Sequence, residues 1–206
     1  MHELFHPFVS DVTLTGNIQQ DVVTVLLHHG YARIAGHVAR VAAEARRLAA
    51  RFGVDEAQAA TAAWLHDVGA VVANGQRAAI CHAFAIEVLP EEEDAPFILH
   101  QKLSALMARE IWAIQDDATL SAIACHTTLK TDASLVDKVV FVADKIQWDQ
   151  PGEPPYLEAL LATLDHSLDA AAFCYLDHLW QQRDRLQVIH PWLVAAYREL
   201  ALRFPR

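Results

Sequence analysis

Six side chains in this sequence are of the types that hold a metal ion: His37, the adjacent pair His66-Asp67, His100, His126 and Asp144. The pair closes the run Ala-Ala-Trp-Leu-His-Asp-Val-Gly, so one imidazole and one carboxylate stand side by side at the end of an apolar segment. Adjacent ligands need an ion large enough to sit between neighbouring side chains. The other four lie where a solvated polar residue does not belong. His37 has Ile34 one turn before it and Val41 one turn after. His100 keeps company with Phe97, Leu103 and Met107, and His126 follows Ala122 and Ile123. Asp144 shares its face with Val140, Phe141 and Trp148. An unpaired carboxylate buried there would neutralise rather than stay charged. It needs an Arg or Lys, a set of backbone amides, or a metal.

Taken singly, each residue has a plainer reading. A lone histidine on an apolar helix face is more often a hydrogen-bonded core residue, and a His-Asp dipeptide can simply end a helix. Taken together, four histidines and two aspartates on core-facing positions point to a metal site. Six N/O donors without thiolate exceed the needs of one zinc ion. The mixture suits two divalent transition-metal ions: iron, manganese, cobalt, nickel or zinc, and not calcium. In a dinuclear centre Asp67 would bridge, and a bridging water or hydroxide would be the nucleophile toward a phosphorus centre.

The elements that must position these groups read as helices. Residues 1–17 form an irregular arm before a domain at 18–206. Helices are expected at about 18–29, 31–52, 56–67, 76–88, 96–114, 116–126, 134–148, 156–183 and 191–202. The second is clearest, with Ile34, Val38, Val41, Ala45, Leu48 and Phe52 at helical spacing and Gly53 as its stop. Asp55 caps the next. The acidic run Glu91-Glu92-Glu93-Asp94 reads as a solvated loop, and Gln150 to Pro155 as a break inside one bundle. No strand pattern survives.

The chain has 206 residues, is 53% hydrophobic and has only 7 Gly, which favours one all-α domain with a sizeable core. A formal charge of −10 without a basic stripe argues against a nucleic-acid duplex as partner. An acidic chain still binds a nucleotide or other small phosphorylated substrate where metal ions supply positive charge. Cys81, Cys125 and Cys174 are far apart in sequence and read as reduced and mostly buried. Neither a signal peptide nor a membrane span is visible, and the expected location is cytoplasmic. A homodimer could use the apolar helix faces, though no feature demands one.

His37, His66-Asp67 and Asp144 in that order match the H…HD…D pattern of the HD-superfamily metal-dependent phosphohydrolases. Cys125-His126-Thr127-Thr128 resembles the HTT segment of the YqeK family, and Ser134 to Ile146 resembles its SLxxKxxFxADKI segment. Ile98-Leu99-His100 is similar to the family's LHG segment, and Val188-Ile189-His190-Pro191 to its IHP. The resemblance covers about 30–200 and implies a single-domain helical bundle of the HD type. It further implies a di-iron enzyme that splits diadenosine tetraphosphate symmetrically into two ADP. On that pattern His37, His66, Asp67 and Asp144 hold one ion, and His100, His126 and bridging Asp67 the other. Three positions depart from it. Gln147-Trp148-Asp149-Gln150 stands where the family has EPGR, so its arginine is missing. Leu129 precedes Lys130 in place of Gly, and Gln101 follows His100 in place of Gly.

The candidate catalytic residues are therefore Asp67, Lys130 and Lys145. Thr127, Thr128, Lys130, Lys145 and Trp148 are the candidate substrate contacts, Trp148 by stacking on a base. Lys102 reads as a surface lysine, Trp64, Trp112, Trp180 and Trp192 as core, and His28 and His29 as surface. The expected reaction is phosphoanhydride hydrolysis in a nucleotide. The alternatives are a nucleotide phosphomonoesterase or other phosphoesterase on the same site, and a low-turnover nucleotide or metal sensor.

Overall fold

The computed structural model describes residues 1–150 and 152–204. Pro151, within the expected break, and the last two residues of the expected domain lie outside the described residues. Twelve α-helices are present among them. The first six are α1 (His6–Val9), α2 (Ile18–His28), α3 (Ala32–Phe52), α4 (Glu56–Leu65), α5 (Asn74–Ala83) and α6 (Pro90–Asp94). The rest are α7 (His100–Trp112), α8 (Asp117–Ala124), α9 (Leu135–Ile146), α10 (Leu157–Leu164), α11 (Leu168–Gln181) and α12 (Pro191–Ala201). No strand occurs among the described residues, and no helix is long and apolar enough to cross a membrane.

α3 is the spine. Ala35, Val38, Val41, Ala42, Ala45, Leu48 and Ala49 bury one stripe of it, against which α4 and α9 pack. Gly53 ends α3 at φ +69, a left-handed conformation that a side chain would strain, and its N–H caps the Ala49 carbonyl. Asp55 accepts from Gln58 N at 2.8 Å and starts α4. Ser134 and Asp137 form a capping box that starts α9. α7 and α8 pack together, α8 packs on α4 and α9, and α11 lies on α9 with α12 outside it.

Several expectations change. The arm is not irregular throughout: Glu3–Phe5 is a 3-10 turn, α1 follows, and Phe5 and Val9, four residues apart, join the hydrophobic core. The acidic run is α6, and Glu92 is fully buried, because its carboxylate meets Lys102 on α7 and His190 before α12. The expected helix at 156–183 is two: the Ser167 hydroxyl accepts from Ala170 N and starts a new helix where the apolar pattern runs on unbroken. α5 stops at Ala83, five residues early, just before Ala85 takes φ +54. α4 stops at Leu65. There the His66 ring takes the Ala63 carbonyl, an acceptor that the continuing helix would use. Trp64, Trp112, Trp180 and Trp192 are half-buried at the rim rather than in the core.

Candidate metal centre

The packing of α3, α4 and α9 brings His37, the C-terminal end of α4 and Asp144 to one point. His37 Nε2 lies 2.9 Å from Asp144 Oδ1 and 3.7 Å from Asp67 Oδ2. His66 Nε2 lies 3.3 Å from Asp67 Oδ2 and 3.7 Å from Asp144 Oδ1. The other oxygen of Asp67 faces a second pair: Oδ1 is 3.2 Å from His100 Nε2 and 3.4 Å from His126 Nε2. All six sequence-derived candidates thus converge, in overlapping groups that could each hold an ion.

The protonation pattern follows from the backbone. His66 Nδ1 donates to Ala63 O at 2.6 Å, His100 Nδ1 to Phe97 O at 2.7 Å, and His126 Nδ1 to Ile123 O at 2.8 Å. A carbonyl only accepts, so each Nδ1 carries a hydrogen and each Nε2 faces inward, where it offers a lone pair to a cation once the ring is neutral. This is the carbonyl-oriented arrangement usual behind metal-binding histidines. His66 Nε2 is buried and has no hydrogen-bond partner. The Nε2 atoms of His100 and His126 stand 3.0 Å apart, and two neutral rings protonated on Nδ1 would meet there lone pair to lone pair. A cation resolves both situations, so the donor set fits a transition metal.

The charges agree. Burial would raise the Asp67 pKa, but the His66 charge and the imidazoles of His100 and His126 beside Oδ1 hold it well below the ordinary carboxylate value. Burial likewise opposes ionisation of Asp144, and the Lys145 ammonium, 2.6 Å from Oδ2, outweighs it together with His37. Burial lowers the His66 pKa, and Asp67 and Asp144 more than reverse this, to about 9. The same field favours any cation at that nitrogen. Burial pushes His126 down to about 4, so it is a neutral donor at neutral pH. Cys125, beside His126, is kept a thiol by burial and offers no thiolate.

Residues beyond the six hold the arrangement. Gly69 N donates to Ser104 Oγ at 2.9 Å, and a Cβ on Gly69 would come within 2.6 Å of His100 O. Only glycine lets the turn after Asp67 lie that close to α7. Gln101 is fully buried; its Oε1 accepts from Thr127 N at 3.2 Å, and its amide donates to Thr128 Oγ1 at 3.2 Å. It ties the His100 turn to the His126 turn. Neither role was read from sequence. The Gly69 signal was its place two residues after Asp67, and Gln101 carried none beyond its departure from the family's glycine.

The remaining candidates separate. Thr127 Oγ1 lies 3.2 Å from His100 Nε2 and 3.1 Å from His126 Nε2, at the inner surface. Thr128 is buried and donates to Leu129 O at 2.9 Å. Lys130 donates to Ser121 Oγ at 2.7 Å and faces Asp137, not the six donors. Lys145 is buried over the Phe141 and Tyr175 rings. The Trp148 ring packs edge-on to Tyr156 at 6.0 Å. Lys102 is not a surface lysine: it is buried and donates to Glu92 at 2.7 Å, a pairing its helix position alone could not reveal. His28 is exposed as expected, while His29 is half-buried, held by Phe8 O at 2.9 Å.

An all-α bundle with a His, His-Asp, Asp cluster at its centre defines a class, and the family comparison agrees: residues 34–149 match the HD domain. The chain belongs to the HD domain family. It is similar to a Lactococcus lactis subsp. cremoris protein known as an uncharacterized protein in the pepC 5′ region, 45% identical over 71% of this chain and 74% of that one. It is 27% identical to the symmetrical bis(5′-nucleosyl)-tetraphosphatase of Halalkalibacterium halodurans, over 91% of this chain and 97% of the relative. The fold matches a solved Clostridium acetobutylicum structure, described as a predicted HD superfamily hydrolase involved in NAD metabolism. The TM-score is 0.82 at 24% identity, over 89% of this chain and 97% of that one.

Proposed function

We propose that this HD-domain hydrolase cleaves a nucleotide phosphoanhydride, with diadenosine tetraphosphate as substrate and ADP as product. The observation that carries the reading is Asp67, whose Oδ2 faces His66 and His37 while Oδ1 faces His100 and His126. One carboxylate between two sets of imidazoles is what a pair of cations requires. His37, His66, Asp67 and Asp144 would hold one ion, and Asp67, His100 and His126 the other. Iron is the first metal to test, with manganese, cobalt, nickel and zinc compatible with the same donors. When bound, such ions supply charge neutralisation at phosphorus and a water acidic enough to attack at neutral pH.

The chain's own residues do the rest. The three Nδ1–H bonds to carbonyls keep the Nε2 atoms aimed inward. Lys145 holds the outer oxygen of Asp144 and leaves the inner one to the centre. We assign the Thr127 hydroxyl, beside both His100 and His126, to a phosphate oxygen. The 27% identical relative named as a symmetrical bis(5′-nucleosyl)-tetraphosphatase supports the substrate.

A specific observation favours a second reading, another nucleotide phosphoester on the same centre. Lys102, Lys130 and Lys145 are each engaged by carboxylates or hydroxyls of the chain, and the arginine of the family's EPGR segment is absent. The deciding experiment measures metal content by mass spectrometry on anaerobically purified protein, with product analysis on diadenosine tetraphosphate. About two equivalents of metal with ADP alone is expected. Two equivalents with turnover only on other nucleotides selects the second reading, and protein that takes up no metal overturns both.

A further inference from the structure

Arg77, on α5, touches none of the six donors, yet it is buried and its Nε and Nη1 are engaged by backbone carbonyls. Nε donates to Val72 O at 2.9 Å, and Nη1 donates to Phe97 O at 2.7 Å and to Pro96 O at 3.4 Å. None of these acceptors is a carboxylate. Burying a guanidinium against neutral carbonyls is costly, and burial does push its pKa down, with Asp67 among the charges pushing back. The side chain stays charged at neutral pH regardless.

The acceptors lie at two informative places. Val72 closes the 3-10 turn Val68–Val71 that follows Asp67. Phe97 lies in the 3-10 turn Pro96–Leu99 that leads into His100, and its carbonyl is the one that also accepts from His100 Nδ1 at 2.7 Å. The other two oriented imidazoles hang from carbonyls inside α4 and α8, which the helices fix. His100 hangs from a four-residue turn in which Ile98 and Leu99 are buried, while Phe97, whose carbonyl is the acceptor, leaves its own side chain 45% exposed.

We propose that Arg77 is a positioning residue for the second half of the centre. It clamps the turn after Asp67 to the turn before His100 and holds the Phe97 carbonyl on which the His100 imidazole depends. Without it that carbonyl keeps only the bonds from His100 itself, nothing outside the turn fixes its direction, and Nε2 shifts from its place 3.2 Å from Asp67 Oδ1. His66 and His37, on the other side of Asp67, do not depend on either turn. The inference rests on the two-ion reading above for its metal arm only.

The test compares wild type, Arg77→Met and Arg77→Lys. In metal-free protein, imidazole nitrogen NMR reads whether His100 keeps its Nδ1–H. Arg77→Met is expected to shift or lose that signal while those of His66 and His126 stay. On reconstitution, one of two ions is expected to bind about 10–100-fold more weakly and the other as in wild type. Lysine, with one ammonium for the carbonyls, should fall between. Should the methionine variant not fold, the lysine variant is judged by the same readings. An unchanged His100 signal, or equal weakening of both ions, overturns the proposal. A wild type that binds no metal overturns the two-ion reading, while the His100 signal still decides the role of Arg77.

Discussion

The two halves of the centre are built by different means. His37, His66 and Asp144 stand on or at the end of α3, α4 and α9, which pack on one another in the core, and the His37 and His66 side chains are 4% and 0% exposed. His100 opens α7 straight after a 3-10 turn and His126 lies two residues beyond α8, and the His100 side chain is 18% exposed. The first half inherits its geometry from helix packing. The second is assembled from individual polar contacts: Gly69 with Ser104, Gln101 with the 127–128 turn, and Arg77 with Phe97. The difference predicts how each fails. Damage to the helical half should cost stability along with metal, whereas damage to the other should cost an ion and leave the fold standing.

The sharpest break removes what the halves share. Asp67→Ala should lose both ions, and turnover should fall by at least about 10³-fold, since two cations contribute several kcal/mol at the transition state. Metal content and kcat/KM check this; loss of one ion alone would show that Asp67 does not bridge. Next, Lys145→Met strikes the helical half. It leaves the half-buried Asp144 carboxylate with His37 but without its 2.6 Å partner, and the expected cost is about 2–3 kcal/mol, below that of a fully buried pair. Denaturant unfolding of metal-free protein measures it. A loss below about 1 kcal/mol would mean that solvent reaches Asp144 after all.

The same contrast explains what was legible beforehand. The donors were visible because histidine and aspartate are rare on apolar helix faces, and the spacing of Val38, Val41, Ala45 and Leu48 announced α3. The devices of the other half were not. Arg77 falls inside the expected 76–88 helix with nothing in the sequence to single it out, and its carbonyl partners are backbone atoms with no residue-specific signature. Glu92 lay in an acidic run whose burial depends on His190, 98 residues away. The division between α10 and α11 turned on one serine in a continuous apolar pattern.

A smaller break separates geometry from charge. Gly69→Ala adds one carbon 2.6 Å from His100 O and 2.7 Å from Ser104 N, backbone atoms that cannot simply move aside. Overpacking of this kind costs about 1–3 kcal/mol. The expected result is a modestly lower Tm and selective weakening of the ion held by His100 and His126. Equal weakening of both ions would erase the distinction between the halves.

The smallest effect lies at the outer support of the second half. Lys102, two residues after His100, donates to Glu92 at 2.7 Å, and His190 Nε2 lies 3.2 Å from the other Glu92 oxygen. Burial would raise the Glu92 pKa, but His190, the Leu89 amide and Lys102 hold it below the ordinary glutamate value. A depressed folded-state pKa contributes stability above the unfolded value, and that contribution is lost as pH falls through the folded one. Wild type should therefore exceed Glu92→Gln in stability at neutral pH, and the gap should close on the acid side of about pH 4. Hydrogen exchange should show α6 and the start of α7 loosening there before α3. If α3 loosens at the same pH, the acid response is global and the second half has no separate support.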